Sequence, residues 1–363
     1  MKKPQARPPL RPTGARSVTR KPTLKTIAEL SGLAVATVSR ALNDAPDIGA
    51  DTKKLVRRIA ADIGYVPNRA GVRLRTGRTN VITLVLSTEP DTMDHTARLI
   101  TSIAEELRNS PYHLTITPFF PDQDPMDPVR YVVETGSADA VILNQTQPDD
   151  PRVRYLVEKG FPFATHGRTD MALAHSWFDF DNAAYARMAV EALAARGAQA
   201  IVMIAPPLEQ TYAHHMIDAA RSAAAQRGIA FRVAHRATSD SPNALVRACV
   251  ETRLAENPEV DAYITGSAKS AMATAAAIES LGRTIGKDMQ LFTKEAVPIM
   301  QMFRPEILTV EEDVARAGRF LARAAMQAIR DPEAPPMQAL DAPERDLGGE
   351  VATPAEGHAK PGA

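Results

Sequence analysis

"TLKTIAELSGLAVATVSRALN", residues 23–43, decides how the chain is to be read. Two short apolar-patterned runs flank Ser31-Gly32-Leu33, and neither is long enough to be a stable helix by itself. Thr23 is positioned to cap a first helix, Leu24 to Leu30, which turns Ile27, Ala28 and Leu30 to one side. Gly32 falls where a tight turn between crossing helices requires positive φ. The second helix, Val35 to Leu42, turns Val38, Ala41 and Leu42 inward and leaves Val35, Ala36, Thr37 and Arg40 outward. A third, Asp51 to Tyr65, starts with an acid and brings Leu55, Val56, Ile59, Ala60 and Ile63 to close a small core. Residues 23–66 therefore form an all-α helix-turn-helix headpiece. Its outward face is small and flat apart from one arginine. Such a face suits the floor of a DNA major groove, with Val35 and Ala36 against thymine methyls and Arg40 forked onto a guanine edge.

The charge distribution points the same way. The chain of 363 residues has 43 Lys+Arg and 43 Asp+Glu, but residues 1–80 hold 17 of the bases and only 5 of the acids, so a +12 segment precedes a −12 remainder. A basic end on an acidic body implies a polyanionic partner for the first part alone. Residues 1–22, rich in Pro, Lys and Arg, lack the apolar content to order themselves and read as a disordered basic tail. The single cysteine, Cys249, excludes an internal disulfide. The chain starts without an apolar signal segment and has no apolar run of membrane-spanning length, so the expectation is a cytoplasmic protein with no membrane partner.

After "GYVPN" (64–68) comes "RAGVRLRTGRTN", basic and interrupted by the apolar Leu74. From Thr37-Val38-Ser39-Arg40-Ala41-Leu42-Asn43, Gly64-Tyr65, Pro67-Asn68 and Leu74-Arg75-Thr76-Gly77 the sequence resembles the lactose-repressor (LacI/GalR-type) family of bacterial regulators. The resemblance implies a hinge at 67–80 whose segment Asn68 to Arg75 becomes helical in the minor groove when two protomers meet on a palindromic operator. Asn68, Arg69 and Arg73 would contact DNA there, and Leu74 would wedge into the central base step, an unstacking repaid by contacts that the bend allows. Two residues depart from the family pattern. Ala34 stands where a Ser N-cap is usual, a local loss of about 1 kcal/mol, and Gly71 stands where Ala is usual, lowering hinge helix propensity by about 1 kcal/mol.

From residue 81 short apolar strands alternate with helical stretches, the pattern of parallel sheets with helices on both faces. Strands read at 81–87, 113–119, 139–144, 161–167, 200–206, 229–235, 261–266 and 289–294. The resemblance implies an α/β two-lobed periplasmic-binding-protein-like domain for effector binding and dimerisation over 81–341, with the chain crossing back after 303–313. Residues 342–363 lack a core pattern and read as a disordered tail. A dimer follows from symmetry, because two copies of the headpiece match a palindromic double-stranded operator where one copy meets half of it.

Ligands of such sheets sit beyond the C-terminal strand ends. "THGRT" (165–169) brings His166 and Arg168 to the cleft mouth, and "TYAHH" (211–215) brings Tyr212 and His215 from the other lobe, Tyr212 suited to stacking on a sugar face. Lys269 lies beside Ala268, where sugar-responsive relatives place an aspartate. Met216 replaces their arginine, and "FTKEA" (292–296) replaces their Gly-Tyr/Phe-Asp pattern. Lys269 and Lys294 also suit an acidic or phosphorylated ligand. Asp181 reads as a helix N-cap, and the lone histidines 95, 113, 175 and 235 read as surface or loop residues.

There is no phosphate loop, nucleophile elbow or histidine pair at metal spacing, and His214-His215 diverge on a helix. Neither catalysis, a cofactor nor a metal is expected. The reading is a ligand-responsive repressor of carbohydrate-utilisation genes with a sugar-like small-molecule effector. The alternative is a solute-binding protein of a transport system, which shares the two-lobed fold but would need export, for which the start of the sequence offers no signal.

Overall fold

The computed structural model describes residues 21–66, 77–88, 93–120 and 122–344. Its contacts divide the chain into two compact units, Met1–Arg78 and Thr79–Ala363. In the first, α1 (Leu24–Ser31), α2 (Val35–Leu42) and α3 (Ala50–Asp62) close on Ile27, Ala28, Val38, Ala41, Val56 and Ala60. Thr23 and Thr26 form a reciprocal capping box at the start of α1, and Gly32 ends that helix at φ 70°, a conformation open to glycine at little cost. Ala34 caps α2 with no side-chain hydrogen bond. Two expected core contributors are instead exposed, Leu30 at 58% and Leu55 at 42%, because a core this small is filled by the six residues above. The third helix also ends at Asp62, short of Tyr65.

The second unit begins with β1 (Val81–Ser87), α4 (Met93–Leu107), β2 (His113–Phe119), α5 (Met126–Thr135), β3 (Ala140–Leu143), α6 (Pro151–Glu158), β4 (Phe163–His166) and β5 (Ser176–Phe180). It continues with α7 (Asn182–Ala195), β6 (Ala200–Ile204), α8 (Thr211–Gln226), β7 (Ala230–Val233), α9 (Asn243–Glu256), β8 (Ala262–Thr265), α10 (Ala268–Ser280), β9 (Gln290–Glu295), α11 (Ile299–Phe303) and β10 (Leu308–Glu311). Finally α12 (Val314–Arg330) and β11 (Gln338–Asp341) return to the first sheet. One sheet has the order β11-β5-β4-β3-β1-β2 and the other β10-β9-β8-β6-β7, with every pairing parallel.

Both sheets are covered on both faces, and the period-2 alternation of a strand shows it. In β6, Ile201 and Met203 pack with α7 and α8, whereas Val202 and Ile204 pack with α9 and α10. In β1, Leu84 faces α4 and α12, whereas Val85 faces α5 and α6. An aspartate pins the start of each central strand. Asp139 accepts from the backbone amides of Thr79 and Asn80 at 2.7 and 2.8 Å, and Asp261 accepts from those of Gln199 and Ala200 at 2.8 and 3.0 Å. The strands β5, β10 and β11 are absent from the sequence reading.

Candidate DNA-binding and effector sites

On the headpiece, α2 presents Val35, Ala36 and Arg40 to solvent, and Thr37 is half-buried. The inward turn of Val38 and Ala41, both fully buried, is what orients this face. The Arg40 guanidinium is held by the Asp47 carboxylate, an exposed pair worth about 0–1 kcal/mol and readily exchanged for another acceptor. Asp44, at φ 59°, receives Arg57 at 2.7 Å and Lys53 at 3.3 Å, and those hydrogen bonds, Arg57 first, hold its carboxyl below the usual range. Asn68, Arg69, Arg73 and Leu74 lie outside the described residues, as does Gly71.

In the second unit a cavity of about 340 Å³ opens between the C-terminal ends of the two sheets. The first sheet contributes the residues that follow or end β3, β4 and β5: Asn144 and Gln145, His166 and Gly167, Asp179 and Phe180. The second contributes Gly266 to Lys269 after β8, and Lys294 and Glu295 at the end of β9. Asn182 and Glu312, where the chain passes between sheets, also line it. Of the residues proposed from sequence, His166, Tyr212 and Lys269 line the cavity. Arg168 and His215 are not among its lining residues. Arg168 pairs through Nε with Asp179 at 3.2 Å, and His215 Nε2 lies 3.6 Å from Asp170. Within a strand residues i and i+2 share a face, but this strand stops at His166 and Gly167 turns the chain at φ 102°, so Arg168 need not follow His166 into the cavity.

A buried polar network occupies one end. Lys294 Nζ sits 2.8 Å from Glu312 Oε2, donates to Asn182 Oδ1 at 2.9 Å, and lies over the rings of Phe180 and Tyr212 at 5.1 and 5.4 Å. Burial alone would raise the Glu312 carboxyl, but Lys294 and His95 outweigh it and keep it well below the carboxylate range. Burial, reinforced by His95, pushes His166 down to about 3, so this ring is neutral at physiological pH. Burial lifts Asp179 to about 7 against the opposing pull of Arg168 and Lys294. Partial burial raises Asp240, and burial raises Glu295. Both lysines already have partners: Lys294 is engaged as described, and Lys269 Nζ donates to the Ser241 carbonyl at 3.0 Å.

Two of the four histidines read as surface or loop residues are corrected here. His95 lies on α4, lines the cavity, stacks on His166 with ring centres 5.3 Å apart, and approaches Glu312 Oε1 at 3.6 Å. His175 is buried and stacked on Phe163. His113 begins β2, although its side chain is exposed. Asp181 does cap α7, accepting from the Ala184 amide at 2.8 Å.

Direct contacts join the two halves around this cavity. The Thr211 amide and hydroxyl both donate to the Thr146 carbonyl, at 2.9 and 3.1 Å, and Arg98 on α4 donates to the Ala296 carbonyl beyond β9. Gly167, at φ 102°, is required beside Thr146, because a Cβ there would stand 2.5 Å from Thr146 Oγ1.

Residues 23–68 match the model of the bacterial regulatory proteins of the lacI family, and residues 190–347 match a periplasmic binding protein-like domain. The HTH-type transcriptional regulator AglR of Rhizobium meliloti (strain 1021) is 29% identical over 81% of this chain and 83% of its own. RafR of Escherichia coli is 35% identical over 52% of this chain and 56% of its own. CelR of Thermobifida fusca is 25% identical over 84% of this chain and 91% of its own. Among solved structures, the lac repressor dimer bound to operator and the anti-inducer ONPF superposes with a TM-score of 0.77 at 19% identity, covering 89% of this chain and 97% of that one. A CelR–cellobiose complex does so at 0.65 and 23%, covering 89% and 98%. The lacI-type headpiece removes the solute-binding alternative. Residues 23–68 are thus a lacI-type DNA-binding headpiece, and the relatives that match most of the chain are HTH-type transcriptional regulators, not enzymes.

Proposed function

We propose that the chain is a sugar-responsive repressor that binds a palindromic operator as a homodimer, acts in the cytoplasm where its DNA is, and holds a neutral polyhydroxylated effector in the cavity between its sheets. The observation that carries this reading is the composition of the cavity wall. Side chains from both sheets and from both crossings of the chain, Asn182 and Glu312, meet in it, so a ligand there has different contacts when the halves reorient. Differential contact is what allows a ligand to bias a two-state element. A cavity of about 340 Å³ is at the small end of ligand sites and suits one or two sugar rings. Four lining carboxylates, Asp179, Asp240, Glu295 and Glu312, against the engaged Lys269 and Lys294, disfavour an acidic or phosphorylated effector.

Relatives support a carbohydrate, since CelR is solved with cellobiose and another is a ribose operon repressor. Within the proposal His166, Tyr212 and Lys269 contact the effector, Arg168 and His215 support the wall, and Val35, Ala36, Thr37 and Arg40 read bases. Asn68, Arg69, Arg73 and Leu74 engage the minor groove. The test is a thermal-shift screen of the full chain against mono- and disaccharides, glycosides and sugar phosphates, followed by operator binding with each hit. A ligand at a hundred times its Kd stabilises the unit that binds it by about 2.7 kcal/mol. A neutral sugar that raises that transition and changes operator affinity supports the proposal. Stabilisation by sugar phosphates alone refutes the neutral class, and a sugar that binds without altering operator affinity refutes control through this cavity.

A further inference from the structure

His95, His166 and Glu312 come from α4, the end of β4, and the turn between β10 and α12. Scattered in this way they gave no metal-binding pattern in the sequence, yet one donor atom of each lies within 4.8 Å of the others. His166 is only 9% exposed, and its Nδ1 has no hydrogen-bond partner, a costly arrangement for a buried polar atom. The Glu312 carboxylate is divided between two neighbours. Its Oε2 is taken by Lys294 at 2.8 Å, whereas Oε1 stands 3.6 Å from His95 Nε2, too far for a good hydrogen bond. The two imidazoles are stacked, with ring centres 5.3 Å apart and planes inclined at 19°.

Two imidazoles and one carboxylate oxygen are a donor set for a borderline divalent cation of the zinc type, with a further position left open. The cavity wall as a whole has more carboxylates than ammonium groups, and the ammonium nearest the site, Lys294, is paired with Glu312 Oε2. We propose that His95, His166 and Glu312 form a site for one divalent transition-metal ion at this end of the cavity, with its open coordination position facing the space where an effector hydroxyl would lie. Two of the ligands belong to the six-stranded half and the third to the crossing that leaves the five-stranded half. An ion bound by all three fixes the geometry of that crossing. The site does not depend on the sugar proposal, and neither sugar nor operator is needed to test it.

The experiment is calorimetric titration of ZnCl2 into the chelator-treated full chain, repeated with Co2+ for its visible absorption. One equivalent should bind, with a tetrahedral cobalt spectrum, and His95→Gln and His166→Gln should each weaken binding at least tenfold. His235→Gln, which alters an exposed histidine away from the cavity wall, should leave binding unchanged. No uptake by the unaltered chain, or uptake unaffected by His95→Gln, would overturn the site. Because His95 is only partly buried, its variant should fold even if His166→Gln does not, and the cobalt band must then be missing from His95→Gln alone.

Discussion

In the headpiece the residues available to a partner and the residues that make the fold stable are different sets. Val35, Ala36 and Arg40 are exposed, while Ile27, Val38 and Val56 are fully buried. Around the cavity the two sets coincide: Lys294, Glu312 and Asp179 line the binding space and are themselves buried and paired, and His166 is buried beside them. A groove-reading surface operates on an accessible polymer and needs no interior. A ligand that is to be enclosed must be met by polar groups already withdrawn from water, and those must be compensated within the fold. The headpiece should therefore allow binding and stability to be changed separately, and the cavity should not.

The largest effect expected is on the cavity side. Lys294→Met leaves Glu312 as a buried carboxylate without its ammonium, which costs about 3–5 kcal/mol where a partner is removed from a buried pair. Calorimetric unfolding should show the transition of the larger unit lowered and that of the headpiece unmoved. If that transition were unchanged while effector response vanished, function and stability would be separable here after all.

Ile27→Ala tests the other region from within. Its side chain is fully buried in a core of six residues, and truncation of such a group costs about 2–5 kcal/mol. A headpiece this small has little stability in reserve. Operator binding should be lost while the melting of the larger unit and its ligand binding persist. Simultaneous loss of both transitions would mean that the two units do not unfold independently.

The same contrast governs what was legible in the sequence. In the headpiece, capping, the Gly32 turn and the 3.6-residue period are local signals, and α2 runs from Val35 to Leu42 as its pattern requires. The sheets were legible wherever a strand was a continuous apolar run, as in β1 and β6. The cavity was legible only at strand ends, the rule that leads to His166. That rule also nominated Arg168, which turns to Asp179, and it had no means of finding His95, Asn182 or Glu312. Those residues are brought together by a helix face and by two crossings of the chain, which depend on how the sheets are joined. Lys294 was noticed as a positive charge, but its partner lies beyond the next helix and strand.

Arg40→Ala should separate binding from stability. If Arg40 reads a guanine, specific operator affinity falls by about 1–3 kcal/mol with relaxed preference at one base pair per half-site. The headpiece melting point should shift little, because the ion-pair partner lost among the described residues is the exposed Asp47. Equal weakening on random DNA would make Arg40 a phosphate contact instead.

The smallest effect expected is a pH dependence confined to the cavity unit. Asp179 titrates near 7 in the folded protein and near 3.8 when unfolded, so between these values the folded state retains a proton that the unfolded state has released. Stability from this group is complete below the unfolded value and is lost as pH rises through 7. From pH 6 to 8 the loss amounts to about 1.4 kcal/mol. The buried His166 works in the opposite sense at lower pH: with its folded value near 3, stability grows as pH rises toward the unfolded histidine range. The raw pH profile therefore mixes the two, and the informative quantity is the difference between the unaltered chain and Asp179→Asn. Urea unfolding of the larger unit at pH 6 and pH 8 should show the unaltered chain losing that amount relative to the variant. Parallel profiles would mean that the Arg168 guanidinium, 3.2 Å away, already keeps Asp179 ionised throughout this range. A buried acid of the cavity would then be a paired charge, as the exposed Asp47 of the headpiece is.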